Sequence, residues 1–111
     1  MVPGGTAGLF GVTTTIYHIV NWASGQCLDD RDGQTADRSP VQQWTCNDNS
    51  TTMQWALFDN LAGSQQLINL RAVRNGGSAC LDVAGGSLQD GAVLQLYHCT
   101  FGNTAQHFYV P

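Results

Sequence analysis

The chain contains no lysine and no glutamate. Its positive charge rests on Arg31, Arg38, Arg71 and Arg74 alone, against eight acidic residues, for a formal net charge of −4. So few cations cannot neutralise a run of phosphates, and no arginine-aromatic stripe is present, which argues against a nucleic-acid partner. Charged residues make up 11% of the sequence, where about a quarter is usual. No apolar run approaches the ~20 residues that span a bilayer, so membrane insertion is not expected. The glycine-rich start, Met1 to Val12, has neither the charged n-region nor the long apolar core of a signal peptide. There is no C-x-x-C pair and no Cys/His cluster, which leaves zinc without a site. The acidic stretch Asp29-Asp30-Arg31-Asp32-Gly33 lacks the register and the terminal glutamate of a calcium loop and reads as a solvated turn. His18, His98 and His107 are scattered, and no serine or cysteine sits in a nucleophile elbow, so the chain reads as a non-enzyme without metal or cofactor.

What is abundant instead is threonine, glutamine, asparagine and glycine, residues that suit strands, turns and uncharged hydrogen-bonding surfaces. They are arranged in a repeat. Cys27-Leu28-Asp29 returns as Cys80-Leu81-Asp82, and 80 − 27 = 53. At the same offset Gly33, Asp37, Gln42, Cys46 and Thr51 match Gly86, Asp90, Gln95, Cys99 and Thr104. A repeat whose matched residues are cysteine, aspartate and glycine repeats a chemical site as well as a fold element.

Four cysteines permit three pairings. The spacing inside the two units is equal, 46 − 27 = 19 and 99 − 80 = 19, which favours Cys27 with Cys46 and Cys80 with Cys99. Four buried thiols are the alternative. Disulfides would imply an oxidising final environment.

Short β-type runs bounded by glycine, asparagine and aspartate fall at residues 15–22, 26–30, 41–46 and 53–58, and again at 66–74, 79–84, 92–99 and 106–111. The expectation is an all-β domain over residues 15–111, built from two four-strand units at about 15–58 and 68–111, preceded by a flexible or docking arm over residues 1–14.

Residues 24–55 (SGQCLDDRDGQTADRSPVQQWTCNDNSTTMQW) and 77–108 (GSACLDVAGGSLQDGAVLQLYHCTFGNTAQHF) resemble the ricin B-chain type lectin family, which is also a family of carbohydrate-binding modules. The resemblance implies a β-trefoil. That fold has three four-strand units, and this chain has room for two. The family's terminal Q-x-W survives in part, as Met53-Gln54-Trp55 and Gln106-His107-Phe108.

The resemblance also implies a pair of sugar sites. In the family the aspartate of the Cys-Leu-Asp motif accepts bonds from two sugar hydroxyls, and the aromatic two residues before the second cysteine stacks on the ring. Carried over, these are Asp82 with Tyr97 and Asp29 with Trp44. The family's asparagine, three residues before the terminal aromatic, is replaced by Thr52 and Ala105. Asn49 and Asn103 lie nearby, and Gln95 and His98 are further candidates for the missing ligand. The second unit looks the more complete. The competing reading is that Asp29 and Asp82 cap turns and that Trp44 and Tyr97 belong to the core.

The expected function is non-catalytic binding of a galactose-type or related glycan by a secreted or surface-exposed module. The alternative is a structural or decoration protein, on a virion or another surface assembly, that uses the fold for protein contacts or host-glycan attachment. Two units leave open strand edges, so self-association into a homo-oligomer is expected, with Leu9, Phe10 and Val12 in the contact.

Overall fold

The computed structural model describes residues 1–59, 64–87, 92–100 and 102–108. Eight strands, β1 (Val2–Leu9), β2 (Val12–His18), β3 (Cys27–Asp30), β4 (Ser39–Trp44), β5 (Trp55–Asp59), β6 (Gln65–Asn69), β7 (Cys80–Val83) and β8 (Leu94–Tyr97), make one antiparallel sheet in the order β1-β2-β5-β6-β7-β8-β4-β3. The order follows from the repeat. In the first unit the outer strands β2 and β5 pair with each other, and the inner strands β3 and β4 form a hairpin. In the second unit β7 pairs with β8, and Phe108 closes onto β6 by a bridge to Gln65. The units join through β5 with β6 and through β4 with β8.

The core lies where these pairings converge. Trp55, Ile16, Leu70, Leu81, Leu96 and Cys80 are buried together, with Phe108 half-buried against them. Burying Trp55 requires a partner for its indole N–H, and Nε1 donates to the Leu28 carbonyl at 3.2 Å. The aromatics that replace or retain the family's tryptophan thus both pack inward.

Three expectations change. Residues 1–14 are not an arm: β1 is a full strand paired with β2, and it stands to β2 as β5 stands to β6. Its Ala7 and Leu9 are buried, so Leu9 belongs to the chain's own core, while Phe10 and Val12 remain exposed at the hairpin turn. The predicted strand over 66–74 stops at Asn69 and continues as a short helix, α1 (Leu70–Arg74). Asn69 Oδ1 accepts the Ala72 N–H as an N-cap, and burial of Leu70 and Ala72 holds the turn against the sheet. The edges are also less open than two isolated units imply. β1 carries Pro3 and a bulge between Pro3 and Thr6, and β3 is only four residues long, both of which blunt edge pairing. The predicted strand at 106–111 is represented by Phe108, and residues 109–111 lie outside the described residues.

The units also meet away from the sheet. Ser78 N–H donates to the Thr35 carbonyl at 2.7 Å, and a Cβ on Gly77 would lie 2.4 Å from that same carbonyl oxygen. Only glycine permits that approach.

Candidate functional site

The antiparallel register brings the site together. Cys27 stands opposite Trp44 and Asp29 opposite Gln42 on β3 and β4, and Cys80 stands opposite Tyr97 and Asp82 opposite Gln95 on β7 and β8. Residues two apart on a strand share a face, so each carboxylate and each aromatic ring project to one side of a hairpin. The cross-strand glutamine then reaches the carboxylate: Gln42 Nε2 donates to Asp29 Oδ2 at 2.9 Å, and Gln95 Nε2 to Asp82 Oδ1 at 3.1 Å. The disulfides Cys27–Cys46 and Cys80–Cys99 tie the first strand of each hairpin to the loop beyond its second strand, as the spacing predicts.

Both aspartates are buried, Asp29 at 6% and Asp82 at 4% exposure, yet each lines a surface hollow. The first, about 700 Å³, is lined by Asp29, Trp44, Asp48, Asn49 and Thr52 among others, all from the first unit. The second, about 420 Å³, is lined by Asp82, Gly85, Gly86, Gln95, Tyr97, Asn103 and Ala105, with Arg38 from the other unit. Seven of the eight candidates named from the sequence therefore line the two hollows, as grouped, and His98 does not. Trp44 and Tyr97 are outside the core: Trp44 is 58% exposed and Tyr97 half-buried. The turn-cap reading of the aspartates fails too, because side chains of neighbouring elements, Gln42 and Thr52 for Asp29 and Gln95 and Gln106 for Asp82, hold the carboxylates.

The two hollows hold their carboxylates differently. In the second, Gln106 is fully buried, and its Nε2 donates to Asp82 Oδ2 at 3.2 Å and to the His98 carbonyl at 2.8 Å. Its Oε1 accepts the Thr100 N–H at 3.0 Å, so one amide fixes both the carboxylate and the following loop. The first unit has Met53 at that position. Its sulfur accepts the Asn47 N–H at 3.4 Å, and Thr52 Oγ1 donates to Asp29 Oδ1 at 2.5 Å. Thr52, which stands where the family keeps an asparagine, thus serves the aspartate. Asn103 Oδ1 accepts the Ala105 N–H at 3.0 Å, and its side chain lines the hollow. Gln95 orients Asp82, and His98 turns away to Asp37, its Nδ1 3.0 Å from Oδ2.

Arg38, Gln106, Thr52 and Asp48 were missed or undervalued from the sequence alone. The Gln of the terminal Q-x-aromatic was the available signal for Gln106. Nothing in the spacing pointed to Arg38. Its backbone lies in the left-handed region at φ 68°, its N–H donates to the Leu96 carbonyl at 2.8 Å, and its guanidinium carbon is 5.9 Å from the centre of the Tyr97 ring.

The histidines and acids outside the hollows also depart from expectation. His18 is buried, 3.6 Å from Asp48. Ser78, Asp37 and His98 cluster, but Ser78 Oγ donates to Asp37 at 2.6 Å, so the carboxylate rather than a base meets the hydroxyl. The acidic turn is only partly solvated: Asp30 is fully buried and neither of its oxygens has a hydrogen-bond partner.

These two acids set opposite pH dependences. Burial, then repulsion from Asp29, pushes Asp30 from 3.8 up to about 7. Its folded pKa lies above the unfolded value, so its contribution is complete below about 3.8 and is lost as pH rises through about 7. Hydrogen bonds from Ser78 and His98 hold Asp37 down to about 2, so its contribution is complete above 3.8 and is lost as pH falls towards 2. Thermal melts are expected to show greatest stability near pH 4. Asp30→Asn, which removes the buried charge, is expected to raise stability at pH 8 by about 1–2 kcal/mol. An unchanged or lowered Tm at that pH would contradict it.

The family described as ricin-type β-trefoil lectin domain-like matches residues 9–97. No curated protein sequence matches the chain. Among solved structures, the designed 3-fold symmetric protein ThreeFoil is similar with a TM-score of 0.72 and 30% identity, over 83% of this chain and 61% of that one. An exo-β-1,3-galactanase from Clostridium thermocellum, 1,3Gal43A, is similar with a TM-score of 0.70 and 35% identity, over 87% of this chain and 21% of that one. The chain thus spans about three fifths of the first and about a fifth of the second.

Proposed function

The chain belongs to the ricin-type β-trefoil lectin-like family, and from that footing we propose that it binds carbohydrate without catalysing its conversion, with a galactose-type terminal residue as the preferred ligand. One observation carries this reading. Twice in the chain a buried carboxylate, held by a cross-strand glutamine, faces the same hollow as an aromatic ring. A sugar offers one face of C–H groups and a rim of vicinal hydroxyls, which suit an aromatic ring and a carboxylate respectively. Each carboxylate accepts two bonds from its own chain, and an ionised carboxylate has about four acceptor positions, so capacity remains for two hydroxyls. The likeness to a galactan-degrading enzyme supports the choice of galactose over other hexoses.

The second hollow is the stronger of the two, because both units wall it and Gln106 fixes its carboxylate. The first presents a barer ring, Trp44, in a wider hollow. Single-site affinity is expected near the millimolar level, about −4 kcal/mol. Copies joined in an oligomer raise it by avidity. Val2, Phe10 and Val12 are exposed on the β1–β2 hairpin and Trp22 is wholly exposed, an apolar set that suits contact between identical chains or with another protein. The two disulfides are compatible with an oxidising setting, outside the cell or on a surface, and support that reading of where the protein works.

A glycan array, run beside light scattering over a dilution series, tests both parts. Galactose-terminated glycans are expected to bind, and the mass is expected to exceed one chain. An oligomer that binds no glycan would favour the decoration-protein reading. A folded monomer that keeps its Tm on dilution would overturn self-association and leave sugar binding to stand alone.

A further inference from the structure

We infer that Arg38 makes the second hollow selective for an acidic saccharide, a sugar residue carrying a carboxylate such as a hexuronate. This deepens the carbohydrate-binding reading and rests on it.

The chain has four cations, and their surroundings differ. Arg31 lies 3.8 Å from Asp32, and Arg71 lies against Gly33, with its charge felt by the buried Asp30. Arg74 ends α1, where the helix carbonyls favour positive charge. Of the four, only Arg38 lines either of the two hollows described above. Among the described residues no carboxylate comes within 4.0 Å of its guanidinium. Asp82 lines the same space without an ion pair to it, each of its oxygens accepting one amide N–H, from Gln95 and from Gln106, with acceptor capacity to spare. The contact with Tyr97, at 5.9 Å from the ring centre, is at the outer limit of a cation–π interaction and leaves the guanidinium N–H groups available.

The backbone sharpens the point. Arg38 holds a left-handed φ of 68°, a conformation that glycine adopts at lower cost. The turn is fastened to the second unit on both sides. Asp37 accepts Ser78 Oγ and the His98 N–H, at 2.6 and 2.8 Å, and Arg38 N–H reaches the Leu96 carbonyl. An arginine standing where glycine would cost the backbone less, with its side chain on a hollow, points to a use for that side chain.

The hollow therefore offers a carboxylate and a guanidinium to one ligand. Vicinal hydroxyls suit Asp82. An acid group suits Arg38, whose planar fork matches a carboxylate with two parallel bonds, whereas a neutral sugar gives it single hydroxyls only. The first hollow has the opposite character, with Asp29 and Asp48 on its lining and no cation. It serves as an internal control.

NMR titration with galacturonate and with galactose at fixed ionic strength, following Tyr97 and Trp44 separately, tests the inference in the parent, Arg38→Gln and Arg38→Gly. At Tyr97 galacturonate is expected to bind about tenfold tighter than galactose, with the ratio falling as salt is added. In both variants the ratio is expected to collapse towards one. Arg38→Gly, which relaxes the backbone, is expected to keep or raise the parent's Tm, so that a lost preference cannot be assigned to unfolding. A ratio near one in the parent, or a preference that survives both substitutions, would overturn the role of Arg38 while sugar binding stands. No response to either sugar would overturn the carbohydrate-binding reading itself, and this inference with it.

Discussion

Asp82→Ala is expected to abolish glycan binding at the second hollow and also to lower the stability of the fold by about 2–4 kcal/mol. The binding loss follows from removal of the only carboxylate that lines that hollow among the described residues. The stability loss is less obvious, since an aspartate between strands reads as a capped turn that could be lost at little cost. In the structure Asp82 accepts Gln95 Nε2 and Gln106 Nε2, and Gln106 is fully buried. Alanine would leave one N–H of each amide without its acceptor, at about 1–3 kcal/mol each. Asp82→Asn separates the two effects. It keeps an acceptor for one amide, so it is expected to melt closer to the parent while binding more than tenfold more weakly. Calorimetric titration and thermal melts on both variants decide it. Parental affinity in Asp82→Asn would remove the carboxylate from the site, and a parental Tm in Asp82→Ala would remove it from the scaffold.

Reduction of the two disulfides is expected to leave the chain largely unfolded at room temperature. Each bridge joins cysteines 19 residues apart, and closing a loop of that size is worth about 3 kcal/mol in the chain-entropy model. Two such loops account for about 6 kcal/mol, comparable with the whole stability of a small domain, about 5–15 kcal/mol. The Cys80→Ser, Cys99→Ser double variant is expected to lose its second hollow first, since Cys99 sits between His98 and Thr100, whose backbone groups bond Gln106. Circular dichroism with and without reductant gives the first result, and Tyr97 resonances in the variant give the second. A reduced protein melting within a few degrees of the oxidised one would contradict the first expectation.

The sequence disclosed the repeat, the bridges and the paired sites for one physical reason. With an offset of 53 that never slips, both hairpins keep one register, and register alone decides which side chains share a face. Asp29 with Trp44 and Asp82 with Tyr97 follow from that. What stayed hidden depends on contacts between segments far apart in the chain. Arg38 reaches the second hollow because β4 pairs with β8, a junction between units that no local pattern announces. The strand β1 was hidden by its own composition, since Pro3, Gly4 and Gly5 read as coil, and the pairing with β2 overrides them. Helix α1 was hidden by alternation. Leu67, Asn69, Arg71 and their neighbours fit a strand until Asn69 caps the next turn. The burial of Asp30 could not be foreseen either, because acidic neighbours suggest solvent.

The second hollow takes one wall from each unit, whereas the first is lined by its own unit alone. In an open row of n such units there are n − 1 shared walls, and in a closed ring there are n. A row of two therefore has a single full-featured pocket, however faithfully its halves are copied. On the proposed reading, valency in this architecture would track closure rather than duplication: copying a unit adds a carboxylate and a ring, but only a neighbour on the correct side adds the cation.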